Sequence, residues 1–248
     1  MTGRAMRHRQ EAKVKLSEIF TSIEGEGVLF GTKTMFVRLA GCPLKCHWCD
    51  TPYAIPMDSG GNFSSDDVKK MIADELLPHT YKVNFTGGEP LVQHEAVIEL
   101  AQFVREKGIK TYLESACYDS ARFAKVLPYI DICKIEFKLR DSKVVDDKNY
   151  PTLLKNEMEC FRMAVEAGKK PYVKVVVTNS SSLIEFESLI KRVRGIAKPL
   201  DIAGFIIQPS HKVDEPVLDR LFAFYDAVYP YYDQVRVIPQ LHKIIGAR

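Results

Sequence analysis

From residue 34 to residue 238 the chain alternates between β-prone runs and capped runs of helical period, and this alternation constrains the fold most. Strands are predicted over 34–40, 81–85, 110–114, 131–135, 171–178 and 204–208. Helices are predicted over 66–77, 90–107, 120–127, 152–167, 182–196 and 215–228, and a last strand over 235–238. Ser64 and Ser65 cap the first helix, with Asp66 and Asp67 in its first turn, and Pro90 opens the second. Gly108 and Gly168 close helices. Six β/α units and a terminal strand predict a right-handed parallel series. Six units are fewer than the eight of a closed barrel, so the fold class is α/β, a partial (β/α)6 TIM-like barrel. Its opening would face a substrate, and a homodimer would cover part of it. Upstream, Leu16, Ile19, Phe20 and Ile23 do not alternate strictly, and Gly25 and Gly27 argue for a turn. That stretch reads as a short strand or turn.

The chain has 248 residues, 46% of them apolar and 27% charged, which suits one large α/β domain. Residues 1–15 are basic and polar and read as a disordered extension, leaving a single domain over 16–248. A net charge of +3 is too mild to argue for nucleic acid. No apolar run approaches the ~20 residues of a membrane span, and the N-terminus lacks the apolar core of a secretory signal. The six cysteines are not a disulfide framework. A cytoplasmic, reducing setting is expected.

Cys42, Cys46 and Cys49 fall within eight residues, on the loop that follows the 34–40 strand. Ligand sites in parallel α/β folds lie at that end of the sheet. A structural zinc site wants four ligands, and Cys117, Cys133 and Cys160 are too isolated to complete one. Iron–sulfur clusters are also held by thiolates, normally four. Three leave one iron of a 4Fe–4S cluster open for chemistry. A small zinc knuckle or three reduced thiols is the plainer alternative. Cys117 and Cys160 read as packed thiols, and His47, His79, His94 and His211 as surface or capping residues.

The C-x3-C-x2-C spacing, with Trp48 before the last cysteine, resembles the radical S-adenosylmethionine (SAM) superfamily. Thr86-Gly87-Gly88-Glu89-Pro90, one β/α unit later, resembles its second signature. The resemblance implies a 4Fe–4S cluster on Cys42, Cys46 and Cys49, whose open iron chelates SAM. It places Trp48, Cys49, Asp50, Gly87, Gly88 and Glu89 against SAM, the glycines leaving room for a ligand. Glu114, Ser115, Cys133, Lys134 and Gln208, at later strand ends, are further SAM candidates, although each also fits ordinary turn chemistry.

The flanks narrow this further. Ile23-Glu24-Gly25-Glu26-Gly27, Phe36-Val37-Arg38, Cys49-Asp50-Thr51 and Arg236-Val237-Ile238-Pro239-Gln240-Leu241-His242-Lys243 resemble the 7-carboxy-7-deazaguanine synthase family. That family turns 6-carboxy-tetrahydropterin into 7-carboxy-7-deazaguanine with loss of ammonia, on the route to queuosine or archaeosine. SAM is used catalytically and Mg²⁺ assists. The resemblance implies a pterin site from Ile23, Glu24, Gly25, Glu26, Arg38, Thr86, Gln240 and His242, with Thr51 as the Mg²⁺ ligand. Arg38 offers a bidentate fork to a carboxylate, and Glu24 and Glu26 offer acceptors to the pterin N–H edge. A flavodoxin- or ferredoxin-type reductant is the expected partner. Three departures stand out. Glu24 occupies a position where the family usually has Gln, Cys133-Lys134-Ile135-Glu136 replaces a Ser-Pro-Lys segment, and Glu114-Ser115-Ala116-Cys117 replaces Glu-Thr-x-Gly. Two rivals remain. A glycyl-radical enzyme activase shares the cluster loop and resembles 131–138, and a non-enzymatic metal or redox sensor would use the cysteines alone.

Overall fold

Strand propensity and the predicted helical runs assemble into one sheet backed by helices. The computed structural model describes residues 13–247. Its strands are β1 (Lys13–Ile23), β2 (Lys33–Leu39), β3 (Gly61–Ser64), β4 (Lys82–Gly87), β5 (Lys110–Ser115), β6 (Ile132–Phe137), β7 (Tyr172–Val177), β8 (Gly204–Pro209) and β9 (Val235–Val237). The helices are α1 (Ser65–Glu75), α2 (His94–Glu106), α3 (Ser120–Val126), α4 (Tyr150–Glu166), α5 (Leu183–Arg194), α6 (Leu218–Val228) and α7 (Leu241–Ile245). The sheet order is β3-β1-β2-β4-β5-β6-β7-β8-β9. From β2 onward the neighbours are parallel, and one helix from α1 to α6 separates each successive pair. This is the expected run of six β/α units and a terminal strand. β3 and β9 are the two edges, so the barrel stays unclosed.

The near edge differs from expectation. β1 is an eleven-residue strand, antiparallel to both β2 and β3. Of the extension expected over 1–15, positions 1–12 lie outside the described residues, and Lys13 to Lys15 already pair in β1. A register shift between Leu16 and Glu18 explains why the run did not alternate. Val14 and Leu16 face the main core before this bulge, and Ile19 does so after it, which turns Phe20 to the opposite face.

Along the parallel strands the period-two rule sorts side chains into two populations. Val37, Phe85, Leu113, Ile135, Val175 and Ile207 face the helices, where they meet Leu100, Phe161 and Ile190 in one continuous core. Phe186 packs edge-on against Phe205 and Phe224, with ring centroids 6.1 and 5.0 Å apart. Each such ring contributes ~1.5–3 kcal/mol by burial. The alternate residues face the concave side and are mostly polar. Towards the strand N-termini a separate cluster of Tyr112, Tyr172, Ile206 and Ile238 closes the floor. Among the described residues no helix is long and apolar enough to cross a membrane.

Candidate active site

The loop after β2 carries the three clustered cysteines and is held in place by its backbone. Gly41 N–H and Cys42 N–H donate to the carbonyls of Ala54 and Ile55, both at 2.9 Å. Lys45 N–H and His47 N–H donate to Val144 and Ser142, in the loop after β6. Cys42, Cys46 and Cys49 are all free and half-buried, and all line one cleft of about 1190 Å³ that is open to solvent. Cys117, Cys133 and Cys160 are free and fully buried. Burial pushes the Cys42 thiol up to about 12, a cost that iron reverses by holding its thiolate ligands deprotonated. Three half-exposed thiols on one loop, turned into one cleft, fit the three-thiolate ligation of a cluster.

The GGEP turn ends β4 directly against this loop. Gly88 N–H donates to Leu39 at 2.9 Å and Glu89 N–H to Gly41 at 2.8 Å. A Cβ on Gly87 would lie 2.0 Å from the Leu39 carbonyl oxygen, and one on Gly88 2.4 Å from that of Gly41. The space these glycines vacate is therefore filled by the cluster loop's own backbone, rather than left free for a ligand. Gly87 and Gly88 still line the cleft, but Glu89 does not. Its carboxylate is buried and accepts from Ser115 Oγ at 2.8 Å, Ala116 N–H at 2.7 Å and Leu91 N–H at 2.9 Å. Glu89 ties β4 to β5, and the expected contact of its side chain with SAM is not supported.

The other expected SAM residues divide. Trp48, Cys49, Asp50, Glu114, Ser115, Lys134 and Gln208 line the cleft. Gln208 Oε1 is buried with no hydrogen-bond partner among the described residues, an acceptor available to a ligand. Cys133 is placed wrongly by the sequence reading. It sits in the helix-facing core, because strand alternation sends it to the face opposite Lys134. Every expected pterin residue lines the cleft: Ile23, Glu24, Gly25, Glu26, Arg38, Thr86, Gln240 and His242. Arg38 Nε donates to Glu18 at 2.8 Å, and its guanidinium lies over the Phe20 ring at 5.6 Å. The C-terminal segment folds over the Ile23–Gly27 turn. Leu241 N–H donates to the Gly25 carbonyl at 2.9 Å, and Gln240 Nε2 donates to Glu26 at 2.7 Å and Asp50 at 3.1 Å. Thr51 also lines the cleft, its hydroxyl 3.9 Å from Cys49 Sγ. Next to it in sequence, Asp50 shares with Glu26 and His242 a group of ligand atoms within 4.8 Å of one another.

The concave face also holds charges that sequence reasoning missed. Glu136, Lys138 and Lys174 line the cleft, and Lys82 and Asn84 are buried on the same face. Lys134 Nζ bridges Glu114 at 2.9 Å and Glu136 at 2.7 Å. Lys138 pairs with Glu136, and Lys174 pairs with Glu26 and reaches Glu136 at 3.3 Å. Asn84 Nδ2 and the Thr86 hydroxyl donate to Glu114 at 3.1 and 3.2 Å. Burial alone would raise Glu114, but Lys134 and Lys174 hold its carboxyl at about 2. Burial likewise opposes ionisation of Glu26, and Lys174 brings it below the usual range. Period two was the available signal, since Lys174 and Val176 alternate with Val173, Val175 and Val177 within one β-branched run.

Comparison with known proteins agrees with this geometry. Residues 23–156 match the family described as a 4Fe-4S single cluster domain. The 7-carboxy-7-deazaguanine synthase of Methanocaldococcus jannaschii is 32% identical over 93% of this chain and 99% of its own length. That of Methanothermobacter thermautotrophicus is 28% identical over 95% of this chain and 98% of its own. Among solved structures, QueE from Escherichia coli superposes with a TM-score of 0.63 at 19% identity, covering 93% of this chain and 95% of that one. A domain of the pyruvate-formate lyase-activating enzyme from Bacteroides vulgatus reaches 0.51 at 15% identity over 63% of this chain and 98% of its own. At such identities the structural likenesses show a shared fold alone. The kinship over nearly the whole length decides between the synthase and the activase, and the chain belongs to the radical SAM family of 7-carboxy-7-deazaguanine synthases.

Proposed function

We infer that this protein is a lyase that converts 6-carboxy-5,6,7,8-tetrahydropterin into 7-carboxy-7-deazaguanine. Product plus one ammonia accounts for every atom of the substrate, so no net oxidant is required. The observation that carries this reading is the meeting of three half-exposed thiols and a charged, acceptor-rich pocket in one cleft. Bound together, a 4Fe–4S cluster and SAM supply a one-electron reduction and a hydrogen-abstracting radical. The chain's own residues bind and orient. Arg38 has its Nε on Glu18, which leaves the terminal guanidinium nitrogens for the substrate carboxylate. Glu24, the Gly25 backbone and Glu26 take the pterin N–H edge, and Thr86 and His242 flank it. Lys134, tied between Glu114 and Glu136, sets the charge at the SAM side.

Mg²⁺ on Thr51 is part of the same proposal, supported by its hydroxyl on the cleft lining beside its chain neighbour Asp50, which lines the same cleft. So are a flavodoxin- or ferredoxin-type reductant, a homodimer and a cytoplasmic setting that keeps the thiols reduced. The exposed apolar residues Leu218 and Phe222 on α6 and Tyr229 just after it support the homodimer, and sedimentation of the reconstituted protein tests it. Anaerobic reconstitution tests the activity. The brown protein should split SAM in a pterin-dependent way and release the deazaguanine and ammonia. A protein that binds one zinc and leaves SAM intact with the pterin present would sink the reading.

A further inference from the structure

Glu24, on the cleft lining, has a fully buried cation as its partner. Lys82, at the start of β4, is completely buried. Its ammonium donates to Glu24 Oε2 at 2.6 Å and to Thr34 Oγ1 at 2.6 Å, and it lies 4.8 Å from the centre of the Tyr112 ring. Those contacts occupy the cation. Glu24 is 4% exposed and lines the cleft, with Oε2 on Lys82. An amide at position 24 would strand Lys82 as an uncompensated buried charge, and an apolar residue at position 82 would strand the carboxylate. The two positions work as one unit.

We propose that Lys82 is a specificity-determining positioning residue that holds Glu24 as a pure hydrogen-bond acceptor, so that the pocket selects a 2-amino-4-oxo pyrimidine edge over a 2-oxo one. This rests on the pterin reading above. A pterin presents two neighbouring N–H donors there, on N3 and on the 2-amino group, and a carboxylate accepts both. A lumazine presents a carbonyl oxygen in place of the amino group, which a carboxylate repels and an amide can serve by turning its NH₂ inward. The charged and titratable groups around Glu24 are Lys82 from β4, Tyr112 and Glu114 from β5, Tyr172 from β7, and Glu26. Burial raises the Glu24 carboxyl and lowers the Lys82 ammonium on balance, and their direct contact is what opposes both shifts. Without Lys82, the neighbouring Glu114 and Glu26 would drive Glu24 further towards its protonated form.

The test measures binding of two air-stable fluorescent probes, 6-carboxypterin and 6-carboxylumazine, to the reconstituted SAM-bound holoenzyme at pH 6, where both probes keep their ring N–H donors. Wild type should prefer the pterin roughly 10- to 100-fold, because the probes differ only at position 2 and one buried polar contact is mismatched. Lys82→Met should lose most of that preference. Glu24→Gln with Lys82→Met should restore pterin binding relative to Lys82→Met and accept the lumazine within about threefold of the pterin. The double variant also covers the case in which Lys82→Met alone fails to fold. Wild-type preference retained in Lys82→Met would overturn the role of Lys82. So would a double variant that still rejects the lumazine. If wild type binds neither probe, the pterin reading itself falls, and this inference falls with it.

Discussion

Cys133 and Lys134 are chain neighbours on β6 with opposite surroundings. The thiol is sealed in the helix-facing core, while the ammonium reaches the cleft between two carboxylates. Exposure, more than residue type, separates a ligand cysteine from a packing cysteine. Cys46→Ala should therefore abolish the visible iron–sulfur absorption of reconstituted protein. Cys133→Ala should keep full iron content and cost only about 1 kcal/mol in urea unfolding. Arg38 gives a second contrast. Its Nε is engaged with Glu18, so its fork is already oriented before a ligand arrives. Arg38→Ala should raise the pterin KM roughly 10- to 100-fold, the worth of a charge-assisted hydrogen-bond pair, while leaving SAM binding unchanged. An unchanged KM would remove Arg38 from the substrate site.

At the scale of elements, the starts of α1, α3 and α5 carry their own signal in the capping residues Ser64, Asp119 and Ser182, and α1 shows it best. Ser64 Oγ accepts from Asp67 N–H at 3.1 Å while Asp67 Oδ2 accepts from Ser64 N–H at 3.2 Å, a reciprocal capping box. Ser64→Ala should cost about 1 kcal/mol in thermal or urea unfolding and leave turnover unchanged, because α1 packs against β1, β3 and α2 and contributes no residue to the cleft lining. Such local signals are why the six β/α units and the cluster loop could be read from residues alone. What could not be read depends on long-range pairing. The strand character of β1 is masked by the bulge at Leu16/Glu18, and β3 is a four-residue strand that exists only because β1 lies beside it. The same limit hid part of the site. Spacing shows that Lys174 and Glu136 face the same side as their i±2 neighbours, but only the assembled barrel sets Glu136 on β6 within 3.3 Å of Lys174 on β7. The glycines of the GGEP turn were legible as a close approach. That the approaching groups are the Leu39 and Gly41 carbonyls, and not a ligand, is a fact of the packed structure.

Over the whole molecule, the concave face is an electrostatic balance. Glu24, Glu26, Glu114 and Glu136 are paired with Lys82, Lys134, Lys138 and Lys174, four charges of each sign on one face of the sheet, with Lys82 buried behind the lining. An unpaired member would be costly, since a buried ion without its partner typically destabilises by ~3–5 kcal/mol. The balance implies a particular response to acid. The Glu114 carboxyl is held at about 2 in the folded protein against an ordinary value of 4.5, with burial opposing and Lys134 and Lys174 prevailing. A depressed folded value means that the unfolded chain takes up the proton first as pH falls. The stabilisation from Glu114 is therefore complete above 4.5 and drains away as pH drops through 4.5 towards 2. Glu26 and Glu136 are lowered too and add to the same acid limb, whereas Glu157, buried and raised, contributes in the opposite sense. Glu114→Gln removes one depressed carboxylate and keeps the shape of the side chain. In urea unfolding of the metal-free protein, wild type should exceed Glu114→Gln by on the order of 2 kcal/mol at pH 6, and the gap should shrink by about half at pH 3. A gap that stays constant across that range would mean that Glu114 is not held ionised by its lysines, and that the lining is stabilised by packing instead of charge.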